Sequence, residues 1–171
     1  MTIDRAKGSA GRRLLRLARR GRRVRLADLR RFGSALRGHQ RRSACRALVD
    51  GAIVVTTLER RGLKPLLAGL SPMADGDPAD VRRIVQAVDA GLGLLPVAPT
   101  CLRRSVTLLR ELNRCRMGAT LNIGVRNGQS GVEAHAWIQV ADEVVNDDPD
   151  VVRTYARLPM SRARQVQGIF S

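Results

Sequence analysis

From residue 119 the apolar side chains fall on every second position, whereas the apolar spacing before Gly118 is helical. Ala119, Leu121, Ile123 and Val125 alternate with Thr120, Asn122, Gly124 and Arg126. After the turn-forming stretch NGQSG at 127–131, Val132, Ala134, Ala136, Ile138 and Val140 alternate with Glu133, His135, Trp137 and Gln139. Successive side chains of a strand point to opposite faces, so each stretch predicts a strand with one apolar side, and the turn between them makes an antiparallel hairpin. A third short strand is expected in VVND at 144–147.

Everything upstream reads as helix. Leu14, Leu17 and Ala18, then Leu26, Leu29, Phe32 and Leu36, recur at helical spacing on two short basic segments. Cys45, Leu48, Val49, Ala52, Val55 and Leu58 predict a third helix from about 43 to 61, with Gly62 ending it and Cys45 in the core. Asp77 as N-cap, Pro78 in the first turn and Asp80 beside it start a fourth, with Val81, Ile84, Val85 and Val88 on one face. Leu102, Val106, Leu109 and Leu112 mark a fifth, closed by Gly118, and a short helix is expected around 150–157. The Pro, Gly and Asp content of 70–78 places a boundary there, dividing a basic helical part, 1–70, from a second part, 71–171. Helices together with an antiparallel hairpin predict an α+β fold.

The chain has 171 residues and a net charge of +16, and the charge is unevenly placed. Residues 1–42 carry 15 Lys or Arg against two acids, Asp4 and Asp28. Such a segment suits a polyanion or an acidic peptide, and equally a solvated helical face. No apolar stretch is long enough to cross a bilayer, and arginines interrupt the leucines near the N-terminus, which argues against a secretory signal. Three cysteines without C-x-x-C spacing argue against a disulfide framework or a zinc site and predict a reducing, cytoplasmic setting. There is no P-loop and no dinucleotide fingerprint.

The chemistry concentrates in three residues. Thr100 as N-cap places Cys101 in the first turn of its helix, where free backbone N–H groups and the helix dipole favour a thiolate and could hold an oxyanion. A cysteine there can also be a small core residue. His135 lies mid-strand on the polar face, where a general base could be held rigidly toward a helix packed on the sheet. Asp147, on the next strand, is the carboxylate to fix its tautomer. Register decides whether it can. A three-residue loop, Ala141 to Glu143, sets Asp147 opposite Trp137 on the His135 face; a two-residue loop of Asp142 and Glu143 turns it away. The triad therefore demands an odd loop or a bulge, with Asp148 as substitute in an even register. Trp137 could shield the site or simply pack. Glu133 and Asn122 could line a groove or be exposed strand polarity. Cys115 reads as core, and His39 as solvent-facing.

The stretches CLRRSVTLLRELNRCRMGATLNIGVR, AHAWIQV and VVND together resemble the lasso peptide maturation peptidases, the stand-alone B2 proteins of the transglutaminase-like superfamily. The resemblance runs from about Val81 to Tyr155. It implies a papain-like/transglutaminase-like core, with the nucleophile helix against a small antiparallel sheet, and the roles of nucleophile for Cys101, base for His135 and orienting carboxylate for Asp147. It implies removal of the leader from a ribosomally made precursor peptide, freeing an amino group for a separate ATP-dependent macrocyclase. It also implies a separate winged-helix protein that recognises the leader, and neither metal nor organic cofactor. The sequence departs from the family at Asp142, where the turn often has glycine. Amide transfer by the same residues, or a non-catalytic basic module binding nucleic acid or a precursor peptide, are the alternatives.

Overall fold

The computed structural model describes residues 26–36, 41–70, 75–129 and 131–159. The helices are α1 (Leu26–Leu36), α2 (Arg41–Arg61), α3 (Lys64–Leu67), α4 (Val81–Leu92), α5 (Cys101–Arg114) and α6 (Val151–Thr154). The strands are β1 (Ala119–Gly128), β2 (Gly131–Val140), β3 (Glu143–Val144) and β4 (Ala156–Arg157), in the sheet order β3-β2-β1-β4. The expected helix at Leu14 to Ala18, and His39, lie outside the described residues.

Several boundaries follow local chemistry. Gly62 ends α2 at φ 76°, a left-handed conformation that glycine takes without steric cost. The Asp77 carboxylate accepts from the Ala79 N–H at 2.9 Å and opens a 3-10 turn, Pro78–Asp80, which runs into α4. β1 and β2 pair over their whole lengths, from Ala119 opposite Val140 to Gly128 opposite Gly131. β4 pairs antiparallel with β1 through Val125 and Gly124.

A single apolar cluster joins α2, α4, α5 and the hairpin, and includes Val54, Leu58, Val88, Leu92, Val106, Leu112, Ile123 and Ile138. By strand alternation, the side chains of Leu121, Ile123, Ala136 and Ile138 share the face on which α5 lies. The face of α2 that enters the core differs from the expectation. It is formed by Ala44, Ala47, Gly51, Val54 and Leu58 with Asp50, whereas Cys45 and Ala52 are exposed and Val49 is 61% exposed. Close approach explains the choice. A Cβ on Gly91 of α4 would stand 2.5 Å from the Ala44 carbonyl and 2.9 Å from the Ala47 Cβ, so small residues line this crossing. On α1, Leu26 and Leu29 are also exposed.

Charged groups tie α2 to α5 inside this layer. Asp50, 4% exposed, forms a bidentate pair with Arg114 and lies 3.5 Å from Arg110. Arg114 also donates to the buried Glu111 at 3.1 Å. A buried carboxylate is tolerated because its partners are positively charged hydrogen-bond donors.

Candidate active site at the open edge of strand β2

β3 is only two residues long, and this shortness creates the site. It pairs Glu143 with Val140 and Val144 with Gln139 around a two-residue turn of Ala141 and Asp142. Both turn residues have positive φ, 48° and 67°, as this tight hairpin geometry requires. Asp142 thus occupies the conformation that a glycine takes without steric cost. Val145 N–H still donates to the Ile138 carbonyl, and then the chain leaves the ladder.

Beyond that point the backbone groups on this edge of β2 are met by side chains. Asn146, 4% exposed, accepts from the Ile138 N–H at 2.8 Å and donates to Ser105 Oγ at 2.9 Å. Ser105, fully buried on α5, donates to the Ala136 carbonyl at 2.9 Å. The Ala136 N–H interacts with the thiol of Cys101. Buried backbone groups need partners, so the first turn and a half of α5 seats against the strand edge that β3 leaves open.

Cys101 begins α5 as its spacing predicts. Thr100 is the N-cap, its hydroxyl accepting from the Arg103 N–H at 3.4 Å. The thiol is partly buried, and burial pushes its pKa above the ordinary cysteine value; the N–H groups of Ala136 and Leu102 pull the other way, and the Asp147 charge adds to the rise. Desolvation thus outweighs the backbone N–H groups that favour the anion, and holds the thiol toward its protonated form.

His135 and Asp147 are in direct contact. The Nε2 of His135 lies 2.5 Å from Asp147 Oδ2, and both side chains are partly buried. An ionised carboxylate only accepts hydrogen bonds, so a neutral imidazole meets this contact in the tautomer with its proton on Nε2 and its lone pair on Nδ1. The contact forms in an even register, with no odd loop. Continued as a strand, Asp147 would have met Ala136; instead residues 145–147 bend off the sheet, with Asn146 anchored to Ile138 and Ser105. Asp148 does not substitute for Asp147. It caps the next turn, accepting from the Asp150 N–H at 2.9 Å, while its own N–H donates to Asp147 Oδ1 at 2.8 Å.

The sheet faces also differ from expectation. His135 shares its face with Trp137 and Gln139, opposite to the face of Ala136 and Ile138 on which α5 packs. Cys101 thus approaches the edge of β2, not the broad face that carries His135. The imidazole stacks against Tyr155, with ring centroids 5.1 Å apart, and lies 6.5 Å from the ring of Trp137. Trp137 is wholly buried, packed on the His135 face of the sheet. Asn122 is buried too, donating to Gln139 Oε1 at 2.9 Å, while Glu133 pairs with Arg126 at 2.7 Å. Cys115 is partly buried against the core.

Sequence reasoning missed four residues. Ser105 stands one helical turn beyond Cys101 on a buried helix face, and Asn146 immediately precedes Asp147; both were visible as polar residues flanking the triad candidates. Arg104 holds Asp89 through bonds of 2.6 and 2.7 Å and also donates to the Asn146 carbonyl. That guanidinium steadies the same segment from the outside, and its pairing with Asp89 raises its pKa further. Tyr155 sits in a segment whose return to the sheet as β4 no periodicity announced.

A partly buried cysteine at a helix start, set against the edge of the strand that carries the His135–Asp147 pair, brings together residue types used in acyl transfer through a thioester. Among the described residues no cluster of His, Cys, Asp and Glu could hold a metal ion, and no helix is long and apolar enough to cross a membrane. Among family models, that of the transglutaminase-like superfamily matches residues 56–160, more than half of the chain. Comparison with curated proteins and with solved structures gave no match.

Proposed function

Because the chain belongs to the transglutaminase-like superfamily, which includes cysteine peptidases and acyl transferases, we propose that it is a cysteine peptidase that removes the leader from a ribosomally made lasso-type precursor peptide. The observation that carries the reading is the His135–Asp147 contact at the strand edge against which Cys101 is seated. In this reading Cys101 is the nucleophile, His135 the acid and base, and Asp147 the group that orients the imidazole and stabilises it when charged.

Nδ1 of His135 takes the thiol proton, and Sγ attacks the scissile carbonyl carbon. The N–H groups at the start of α5 hold the oxyanion. Collapse breaks the C–N bond, His135 returns the proton to the departing amine, and the leader remains on sulfur as a thioester. Water, deprotonated by His135, then adds to the thioester carbonyl. The products are a leader with a C-terminal carboxylate, the free thiol and a core peptide with a free amino group. That amine is the group an ATP-dependent macrocyclase would join to a side-chain carboxylate. A separate winged-helix protein would present the leader, and the basic N-terminal segment is a candidate surface for that partner or for acidic leader residues.

Mass spectrometry of the matching precursor, incubated with this protein and the leader-binding partner, tests the proposal. Wild type is expected to yield two fragments summing to precursor plus water, and Cys101→Ala none. Intact precursor after incubation with wild type, precursor and partner being verified, would refute it; a fragment joined to an added amine would mean amide transfer instead.

A further inference from the structure

Tyr155, whose ring stacks on the His135 imidazole, also lines a second feature. A cleft of about 670 Å³ lies between the far end of the β1–β2 hairpin and the α6–β4 corner. Its lining combines aliphatic side chains, Val125, Val132 and Val152, with the cations Arg126, Arg153 and Arg157, and includes no carboxylate. Val132 is 54% exposed, an apolar side chain left facing solvent at the cleft.

The three arginines are unequally neutralised. Arg126 pairs with Glu133 at 2.7 Å and lies over the Tyr155 ring, 4.9 Å from its centroid. Arg153 is 3.7 Å from Asp150, with both side chains largely in solvent, where such a pair is weak. Arg157 donates to the neutral Gln139 Oε1 at 2.7 Å, and among the described residues no carboxylate lies within ion-pair distance of it. The cleft therefore offers uncompensated positive charge beside aliphatic surface. β4 is also an outer strand of the sheet among the described residues, the kind of edge beside which an extended peptide can lie.

We infer that this cleft is a substrate subsite that takes an acidic and aliphatic segment of the peptide, one aromatic ring away from His135. The inference rests on the peptidase reading, because it supplies the reason for a peptide to lie beside the imidazole. Its volume falls within the range of roughly 300–1,000 Å³ usual for ligand pockets, room for a few residues. Acidic side chains would pair with Arg157 and Arg153, and aliphatic ones would cover Val132 and Val152.

The test is a binding measurement on full-length Cys101→Ala protein, so that it does not depend on turnover. Fluorescence anisotropy would follow a fluorescein-labelled hexapeptide of alternating Glu and Leu, and a second peptide with Gln for Glu. The groove variant is R153E/R157E. R60E/R61E, at the exposed end of α2, changes the net charge equally elsewhere. The inference predicts at least tenfold weaker binding of the Glu peptide for the groove variant, at most twofold for the control, and weak binding of the Gln peptide throughout. Equal loss in both variants, which would indicate general attraction to a basic protein, or loss in neither, overturns it. Should R153E/R157E fold poorly, Val132→Asp, at an exposed position of the cleft, is expected to weaken Glu-peptide binding at least threefold relative to the Cys101→Ala protein, and unchanged binding overturns the inference again. A wild-type protein that cleaves nothing while this binding difference stands would remove the peptidase reading and leave the subsite.

Discussion

Replacing Asn146 by Ala removes a side chain that links the open edge of β2 to α5 and anchors the segment carrying Asp147. Two bonds are lost: the acceptor for the Ile138 N–H and the donor to Ser105 Oγ. Asn146 is 4% exposed and Ser105 wholly buried, so water does not replace them freely. Leaving a buried N–H without an acceptor costs about 1–3 kcal/mol, and an ordinary lost bond adds about 0.5–1.5 kcal/mol. The variant should therefore lose about 1.5–4.5 kcal/mol in urea unfolding. For a chain of this length each kcal/mol lowers Tm by roughly 2–4 °C, which gives a fall of about 3–18 °C. Ser105→Ala breaks the shared bond from the other side, and the double variant should cost less than the sum of the singles by at least about 0.5 kcal/mol. Peptide cleavage should fall more steeply than stability, since the segment holding Asp147 loses its anchor. An Asn146→Ala protein within about 0.5 kcal/mol of wild type, or strict additivity with Ser105→Ala, would refute the account of how this edge is held.

Other outcomes follow from the packing, the turn and the thiol. Gly91→Ala should destabilise by about 1–3 kcal/mol in the same unfolding assay, because its Cβ would collide with the backbone of α2 at Ala44, which cannot yield as a side-chain tip could. Ala141→Gly should stabilise by roughly 0.5–1 kcal/mol, since glycine takes the positive φ at this turn without steric cost; a lower urea midpoint would contradict that. Burial raises the Cys101 pKa, so in His135→Ala its alkylation by iodoacetamide, mapped by peptide mass, should begin at higher pH than for free cysteine. Wild type should react at lower pH than that variant if the imidazole accepts the proton, and superimposed pH profiles would count against His135 as the base.

What the sequence revealed was the part decided locally. Capping is set within four residues, and both the Asp77 start of the fourth helix and Thr100 before Cys101 were legible. Alternation over ten residues identified both long strands and so the α+β class, whereas the transglutaminase-like core came from the resemblance of the stretches around Cys101 and His135, in line with the family match. The buried face of α2 was not legible, because weight of apolar surface favours Val49 and Cys45, whereas the crossing with Gly91 selects Ala44 and Ala47 for their small size. β4 is too short to carry a period. The candidate residues His135 and Asp147 were found, but not the route between them. Register counting assumes that the strand continues, and here Asn146 and Ser105, distant in sequence, capture the chain and carry Asp147 to the imidazole in a register that counting ruled out. The burial that raises the Cys101 pKa was not legible for a similar reason, since it depends on what packs around the helix start, whereas the N–H groups that favour the anion were legible.

The central claim is that Cys101 carries the acyl group during cleavage. Acid quenching of wild-type protein during turnover of the precursor, followed by intact-protein and peptide mass measurement, tests it most directly. The account predicts a transient adduct equal in mass to the leader fragment less water, located on Cys101 and absent from Cys101→Ala. Cleavage that persists in Cys101→Ala, or an adduct on Cys45 or Cys115, would contradict it.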